Sequence, residues 1–139
     1  MKIGEWPNIG RAREMITRQL GELGADEAAA HVLVNPETGR HRILVAADVG
    51  LLDYAWSADS PAPDATWSLR GSLIRWASVR GLRLQTDAQF DPVRETAKAV
   101  WRLVAEDPKF ELMATTEEGE PWAVPALLAF GRACLAHAG

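Results

Sequence analysis

The stretch HRILVAADVGLLDYAW, residues 41–56, decides the fold of this chain. Its apolar run ILVAA meets Asp48, and the chain breaks at Gly50 before the apolar segment LLDYAW begins. A short continuous apolar run is typical of a buried strand, and alternation between the two faces is typical of a half-buried one. The stretch therefore predicts two strands joined by a tight turn at Gly50, with Asp48 bonding that turn through its side chain.

Strand patterns continue on both sides of this pair. Upstream, His31–Val34 leads through the turn cluster Asn35–Gly39 into the first of the two strands, which predicts a hairpin. Downstream strands are predicted at Trp67–Val79, Gly81–Asp87 and Phe110–Thr115. In the first of these the apolar face changes side at Ile74–Ala77, so we expect a bulge or a turn near Gly71–Ser72 or just after it. An acidic loop is expected at residues 117–120.

Two helices are predicted to flank the strands. The first spans residues 8–23, where apolar residues recur at helical spacing and Asn8 is of a type that caps helices well. The alanine-rich segment Asp26–Ala30 could extend it by a turn. The second helix runs from about Pro125 to His137 and places its apolar residues on one face.

The apolar face of the first helix needs a surface to cover it. It packs either against its own domain or against a protein partner, which could be a second copy of the chain. Under the second alternative the interface residues are Trp6, Ile9, Ile16 and Leu20. We accordingly divide the chain into a helical arm, residues 1–25, and a strand-rich domain, residues 26–139.

Residues 91–106 fit two structures. Asp91-Pro92 is a good helix opening, and Val93, Ala97 and Val100 lie at helical spacing. From Ala97 to Glu106, however, alternate residues could equally face the two sides of a strand. The local pattern by itself slightly favours the helix.

The order of strands resembles that of bacterial pleckstrin-homology-like (PH-like) domains. Two segments carry the resemblance: ILVAADVGLLDYAW, where a strand ending in Ala-Asp leads directly to a Gly-Leu-Leu strand, and WASVRGLRLQT. The resemblance implies an α+β fold with an antiparallel bent sheet or partly open barrel of about seven strands. It implies a C-terminal capping helix at Leu127–Leu135, and strands at Thr96–Val104 and Lys109–Thr116 in place of the locally favoured helix.

Composition limits the classes of function. A chain of 139 residues is near the usual size of one domain, and its formal net charge of -4 disfavours binding to nucleic acid. The sequence carries neither a long apolar run nor a signal-peptide pattern, so we expect a cytoplasmic protein without an integral membrane segment. Weak peripheral contact with a membrane stays open. The lone Cys134 excludes an internal disulfide and a cysteine-rich metal site.

Catalytic, cofactor-binding and metal-binding residues are not predicted. The three histidines lie far apart and lack metal-ligand spacing: His31, His41 and His137. Cys134 lies on an apolar helix face, which predicts a buried core residue rather than a nucleophile. Asp48 and Asp53 flank a turn, but acid–base chemistry would need a cleft around them. We therefore expect a non-enzymatic binding or scaffolding module that acts through a protein or peptide surface.

A pair of arginines supports an alternative function. Arg40 and Arg42 lie at the first hairpin, where eukaryotic PH domains bind inositol phosphates through similarly spaced basic residues. The upstream basic residue of that pattern is missing here, and Glu37 adds a charge of the opposite sign. The alternative is a binder of anionic small ligands or lipid headgroups that uses Arg40 and Arg42, with Arg70 or Arg75 in support.

The six tryptophans are unusually many for a chain of this size. Three share strand faces with other apolar residues and are predicted to lie in the core: Trp67, Trp76 and Trp101. Three lie at segment ends and would rim a groove or cover the mouth of a barrel: Trp6, Trp56 and Trp122.

Overall fold

The computed structural model describes residues 1–116 and 120–138. These residues contain two α-helices, seven β-strands and short 3-10 helices at Ile3–Glu5 and Trp76–Ser78. The elements are α1 (Ala12–Leu23), β1 (Glu27–Val34), β2 (His41–Ala47), β3 (Gly50–Ala58), β4 (Trp67–Ile74), β5 (Arg83–Asp91), β6 (Thr96–Glu106), β7 (Lys109–Thr115) and α2 (Ala123–His137). The predicted α+β class is confirmed.

The strands form two antiparallel sheets, one of β1–β4 and one of β5–β7, each in consecutive order. The chain divides into two compact units, unit 1 (Met1–Trp76) and unit 2 (Ala77–Gly139). The segment predicted as a helical arm over residues 1–25 therefore lies in the same unit as the first sheet. Among the described residues, no helix is long and apolar enough to cross a membrane.

The predicted turn between β2 and β3 is confirmed, and Asp48 holds it. Ala47 pairs with Gly50 across the turn. The Asp48 carboxylate accepts hydrogen bonds from the backbone N–H of Val49 at 2.9 Å and of Asp26 at 2.8 Å. The same side chain thus fixes the turn and ties it to the start of β1.

Alanine at Gly50 is expected to destabilise unit 1, because a Cβ there would lie 2.4 Å from the carbonyl oxygen of Ile74. That oxygen belongs to β4, which is held in register where Ile74 pairs with Leu51. We expect Gly50→Ala to lower the free energy of unfolding by about 1–3 kcal/mol, measured by chemical denaturation.

The matched control for this substitution is Gly21→Ala in α1. No described atom outside its own helix and chain neighbours lies within 4 Å of a Cβ at Gly21. Alanine there should raise stability by about 0.5–1 kcal/mol, since glycine is the poorer helix former. Equal losses in the two variants would contradict the close approach at Gly50.

Three predictions about unit 1 differ from the structure in whole or in part. Helix α1 begins at Ala12 and not at Asn8, because Asn8 has a left-handed φ of 61° and cannot serve as its cap. Residues 26–30 do not extend α1, because Gly24 ends the helix in a left-handed conformation and β1 begins at Glu27. The described strands β3 and β4 pair without a register shift, so a bulge near Gly71 is not found; the other alternative, a turn just after it, is met where β4 ends at Ile74 and the 3-10 helix Trp76–Ser78 follows.

The ring of Tyr54 explains the glycine at position 71. Tyr54 pairs directly with Gly71, and a Cβ at that glycine would lie 2.4 Å from the Tyr54 ring. The ring therefore lies over the bare backbone of β4. Its hydroxyl donates a hydrogen bond of 2.9 Å to the side-chain oxygen of Gln19, which joins the sheet to α1.

The N-terminal segment lies along the edge of β1. The Ala30 N–H donates to the carbonyl oxygen of Met1 at 2.8 Å, and the Trp6 indole donates to the carbonyl oxygen of Ala30 at 2.9 Å. Because β1 is an outer strand of its sheet, these bonds engage backbone groups that a neighbouring strand would otherwise take.

Unit 2 consists of β5, β6, β7 and α2. Residues 96–106 form strand β6, so the strand implied by the PH-like resemblance is confirmed over the locally favoured helix. Leu103 of β6 is fully buried and pairs with Leu112 of β7, a contact that only a strand can make in this register. The expected acidic loop lies mostly outside the described residues, at positions 117–119.

Helix α2 buries one face in unit 2, as predicted. Its buried residues are Ala126, Leu127, Phe130, Gly131 and Cys134. At Gly131 the helix comes close to the sheet, since a Cβ there would contact the side chains of Leu84 and Leu103 at 3.5 and 3.6 Å. Burial raises the pKa of the Cys134 thiol to about 12, which fits the prediction that Cys134 is a buried core residue and not a nucleophile.

Candidate functional site

A groove lined by aromatic side chains lies at one end of the sheet in unit 1. We call it the aromatic groove, and its lining residues are Asn8, Ile9, Gly10, Arg11, Met15, His41, Trp56 and Trp67. Its volume is about 640 Å³, within the range of sites that hold small molecules or peptide side chains. One wall comes from the loop before α1 and its first turn, and the other from the sheet.

Strand register brings the three aromatic side chains together. His41 pairs with Trp56 across β2 and β3, and Trp56 pairs with Leu69 across β3 and β4. Because side chains alternate along a strand, Trp67 lies on the same face as Leu69, two positions away. Residues from three strands thus share one end of one sheet face.

The two indoles form a stacked pair with one ring buried and one accessible. Their centroids are 5.2 Å apart with an interplanar angle of 25°, and the His41 ring meets Trp67 edge-on at 6.4 Å. Trp56 is buried, whereas 45% of Trp67 is exposed. The buried indole therefore supports the exposed one, which is available for contact with a ligand.

The prediction of Trp67 as a core residue is wrong. Its strand, β4, is an outer strand of the four-stranded sheet, so a further strand does not cover it in unit 1. Trp76 and Trp101, predicted with it, are half-buried. Of the three tryptophans at segment ends that were expected to rim a groove or cover a barrel mouth, Trp6 and Trp56 are buried.

A second, shallower groove adjoins the aromatic groove at Trp67. It measures about 390 Å³ and is lined by Thr38, Gly39, Arg40, Ala58, Ser60, Pro61, Ala62 and Trp67. We call it the side groove. The carbonyl oxygen of Gly39, which lines the side groove, accepts a 3.0 Å hydrogen bond from Nδ1 of His41, which lines the aromatic groove, and this bond orients the His41 ring.

The lining of these grooves carries positive charge in an acidic chain. Arg11 lines the aromatic groove and Arg40 lines the side groove, while none of the described lining residues bears a carboxylate. The chain as a whole has a formal net charge of -4. Arg11 does pair with Glu14 at 3.1 Å, but both side chains are largely exposed, so the pair is weak and readily exchanged.

The two arginines predicted to bind anions are not equivalent. Arg42 makes two hydrogen bonds to Asp53, from Nε at 3.0 Å and from Nη2 at 2.8 Å, and the bond to Asp53 raises the pKa of Arg42. Arg40 is exposed and contributes to the side groove. Both also line a depression of about 650 Å³ that contains Glu37. The charge of Arg42 is thus already matched within the sheet.

The other predicted site residues are placed elsewhere. Trp6, Ile9, Ile16 and Leu20 are buried, so the apolar face of α1 is used inside unit 1 rather than at a free surface. Only Ile9 of this set reaches the aromatic groove within the described part of the chain. Arg70 and Arg75 are exposed. Asp48 and Asp53, weighed as an acid–base pair, instead bond the turn and Arg42 respectively.

The histidines are not grouped with other metal-binding side chains in the part of the chain that the structure describes. Across residues 1–116 and 120–138, no group of three or more His, Cys, Asp or Glu side chains is arranged to hold a metal ion. His31 is buried beside Trp6, with ring centroids 5.0 Å apart. Burial lowers the pKa of His31 to about 4, and the positive N-terminal amino group adds to this shift.

Sequence reasoning missed the aromatic groove because its members are far apart along the chain. The pairing of Trp56 with Leu69 and of His41 with Trp56 would have identified it, but that register is set by the completed sheet. No family model, curated protein or solved structure matches the chain.

Proposed function

We propose that this chain is a non-enzymatic binding module and that its aromatic groove holds a peptide segment of another protein. The observation that carries this proposal is the exposed face of Trp67, supported from behind by Trp56 and bordered by Met15. Tryptophan and arginine are the residues that most often dominate the energy of protein interfaces. Aromatic-lined grooves are also a common means of binding extended, proline-containing peptides.

The charges of the groove favour an acidic peptide. An apolar or proline side chain would pack on Trp67 and Met15, while carboxylates on either side would meet Arg11 and Arg40. Two arginines without a lining carboxylate, within the described residues, would repel a basic peptide. The proposed ligand is therefore a short extended segment with an apolar residue flanked by acidic residues.

The PH-like fold belongs to the same proposal. Its support is the order of elements: four consecutive antiparallel strands, three more, and a C-terminal helix. An experimental structure of the full chain tests this assignment. A cytoplasmic location is also proposed, since a chain with the single cysteine Cys134 fits a reducing compartment.

Replacing Trp67 with alanine is expected to weaken peptide binding by about thirtyfold, which corresponds to a hot-spot loss of about 2 kcal/mol. The probes are peptides selected by the full chain from a display library of short random sequences. Their affinities for the wild type and for Trp67→Ala are measured by isothermal titration calorimetry. We expect the selected peptides to be enriched in acidic residues next to an apolar or proline residue.

Leu73→Ala is the matched control. Leu73 lies on the same strand and the same face as Trp67, is exposed to a similar degree and does not line the groove among the described residues. Peptides that bind Trp67→Ala as tightly as the wild type would overturn the proposal. Vesicles of phosphatidylcholine and phosphatidylserine provide a second test: capture that is lost in Arg40→Ala/Arg42→Ala, with no peptide selected, would favour the alternative function.

A further inference from the structure

An apolar tip closes the hairpin of β5 and β6 in unit 2. We define the hairpin tip as residues 90–95, between the strand pairs Phe90–Ala97 and Asp91–Thr96. Phe90 is 66% exposed and Val93 is 91% exposed. Turns usually carry small or polar residues, so two large apolar side chains at one turn are a feature that folding of unit 2 does not require.

The backbone of the hairpin tip is ordered by its own side chains. The Asp91 carboxylate accepts hydrogen bonds from the backbone N–H of Val93 at 3.0 Å and of Arg94 at 3.3 Å. Glu95 then takes a left-handed conformation, with φ of 53°, where the chain enters β6. A preformed turn loses less conformational entropy on binding than a flexible loop would.

The charge of the hairpin tip is complementary to the lining of the aromatic groove. The tip contains Asp91 and Glu95 against the single cation Arg94, which lies 3.9 Å from Asp91. Phe90 and Val93 therefore lie in a turn with a net negative charge. This combination of an apolar side chain and neighbouring carboxylates is the ligand chemistry proposed above for the aromatic groove, which Arg11 lines, and for the adjoining side groove, which Arg40 lines.

We propose that the aromatic groove of one molecule binds the hairpin tip of a second copy of the same chain. The inference rests on the proposed function, because it uses the same groove, and it names the partner. Phe90 would pack on Trp67, with Glu95 toward the arginines. Both side chains that would meet are accessible, since Trp67 is 45% exposed and Phe90 is 66% exposed.

The contact area limits the strength of this association. One hairpin tip offers about two apolar side chains, far less than the interface of a permanent dimer. Two reciprocal contacts in a closed dimer would double the buried area, while one-way contacts would continue into longer assemblies. We therefore expect reversible association that appears as the protein concentration rises.

Sedimentation equilibrium of the full chain tests the inference. The weight-average mass of the wild type should rise with concentration above the single-chain value of 15.2 kDa, toward twice that mass for a closed dimer. Trp67→Ala removes the exposed indole of the groove, and Phe90→Ala/Val93→Ser removes the apolar side chains of the hairpin tip. Each variant alone should therefore keep a weight-average mass near 15.2 kDa. Met113→Ala, an exposed residue of unit 2 away from the tip, should associate like the wild type.

Mixing the two variants provides the decisive comparison. Trp67→Ala keeps an intact hairpin tip and Phe90→Ala/Val93→Ser keeps an intact groove, so an equimolar mixture should regain association through one contact per pair. That association should be weaker than the wild type's where the wild type forms a closed dimer with two contacts. A wild type that keeps the single-chain mass at all concentrations would overturn the inference, and so would association that persists in the tip variant. If selected peptides still bind the groove in that case, only self-association fails; if they do not, the proposed function fails as well.

Discussion

Phe130→Ala is expected to lower the free energy of unfolding by about 3–5 kcal/mol, the largest effect of any substitution considered for this chain. Phe130 is fully buried in α2, on the face that also buries Leu127 and Cys134. Removing its ring takes apolar contacts away from unit 2 and leaves a cavity that the surrounding helix and sheet fill only in part. Chemical denaturation followed by circular dichroism measures the loss.

Phe90→Ala is the matched control for this substitution. It removes the same side chain from a position that is 66% exposed, so the expected change in stability is within about 0.5 kcal/mol. Similar losses for the two phenylalanines would contradict the placement of α2 over its sheet. The same denaturation measurement on Phe90→Ala/Val93→Ser shows whether the hairpin-tip variant used for self-association retains its fold.

Acidification is expected to reduce stability through His31 by up to about 3 kcal/mol. His31 is 7% exposed, and burial lowers its pKa from about 6.5 to about 4, with the N-terminal amino group contributing. The unfolded chain therefore takes up a proton at a higher pH than the folded chain does. The contribution is fully present above pH 6.5 and is lost as the pH falls toward 4.

His31→Gln separates this effect from other titrating groups. Burial raises the pKa of Glu27, and a raised acid pKa changes stability in the opposite direction, so the wild-type profile alone mixes the two. We expect the free energy of unfolding to fall less steeply between pH 6.5 and pH 4 in His31→Gln than in the wild type. His41→Gln controls for the loss of a histidine as such. Identical slopes for the wild type and His31→Gln would show that the imidazole is accessible to protons in the folded state.

The groove and the hairpin tip connect these stability measurements to function. Trp56 and the α1 face that buries Ile16 and Leu20 hold the aromatic groove in place, whereas Trp67 is exposed. Substitutions at the exposed tryptophan should therefore change binding more than stability. This difference makes Trp67→Ala a test of function rather than of folding.

Local patterns predicted the elements whose signals come from adjacent residues. The turn cluster Asn35–Gly39 predicted the first hairpin, and Val34 pairs with His41 across it. The Gly50 turn and the apolar face of α2 were predicted in the same way. In each case the deciding interactions lie within a few positions along the chain, where turn chemistry and side-chain periodicity can be seen directly.

The strand at residues 96–106 could not be predicted from its local sequence pattern alone. Its residues suit a helix nearly as well, and pairing with β5 and β7 on both sides gives the strand its hydrogen bonds. The resemblance to PH-like domains supplied the right element by implying further strands at that point. Tertiary pairing outweighed local propensity here because a central strand satisfies its backbone from two neighbours at once.

Local sequence patterns were enough to predict the first hairpin, the Gly50 turn with the hydrogen bond to its Asp48 side chain, and the buried face of α2, whereas the α+β class was implied by the resemblance. The tertiary structure was needed to distinguish the exposed Trp67 from the buried Trp56, and to show that Arg42 is paired with Asp53. Trp67 is accessible because β4 is an outer strand, and Arg42 is matched because Asp53 lies diagonally across from it in the sheet. Exposure and charge pairing depend on residues far apart in the chain, and strand register alone brings them together.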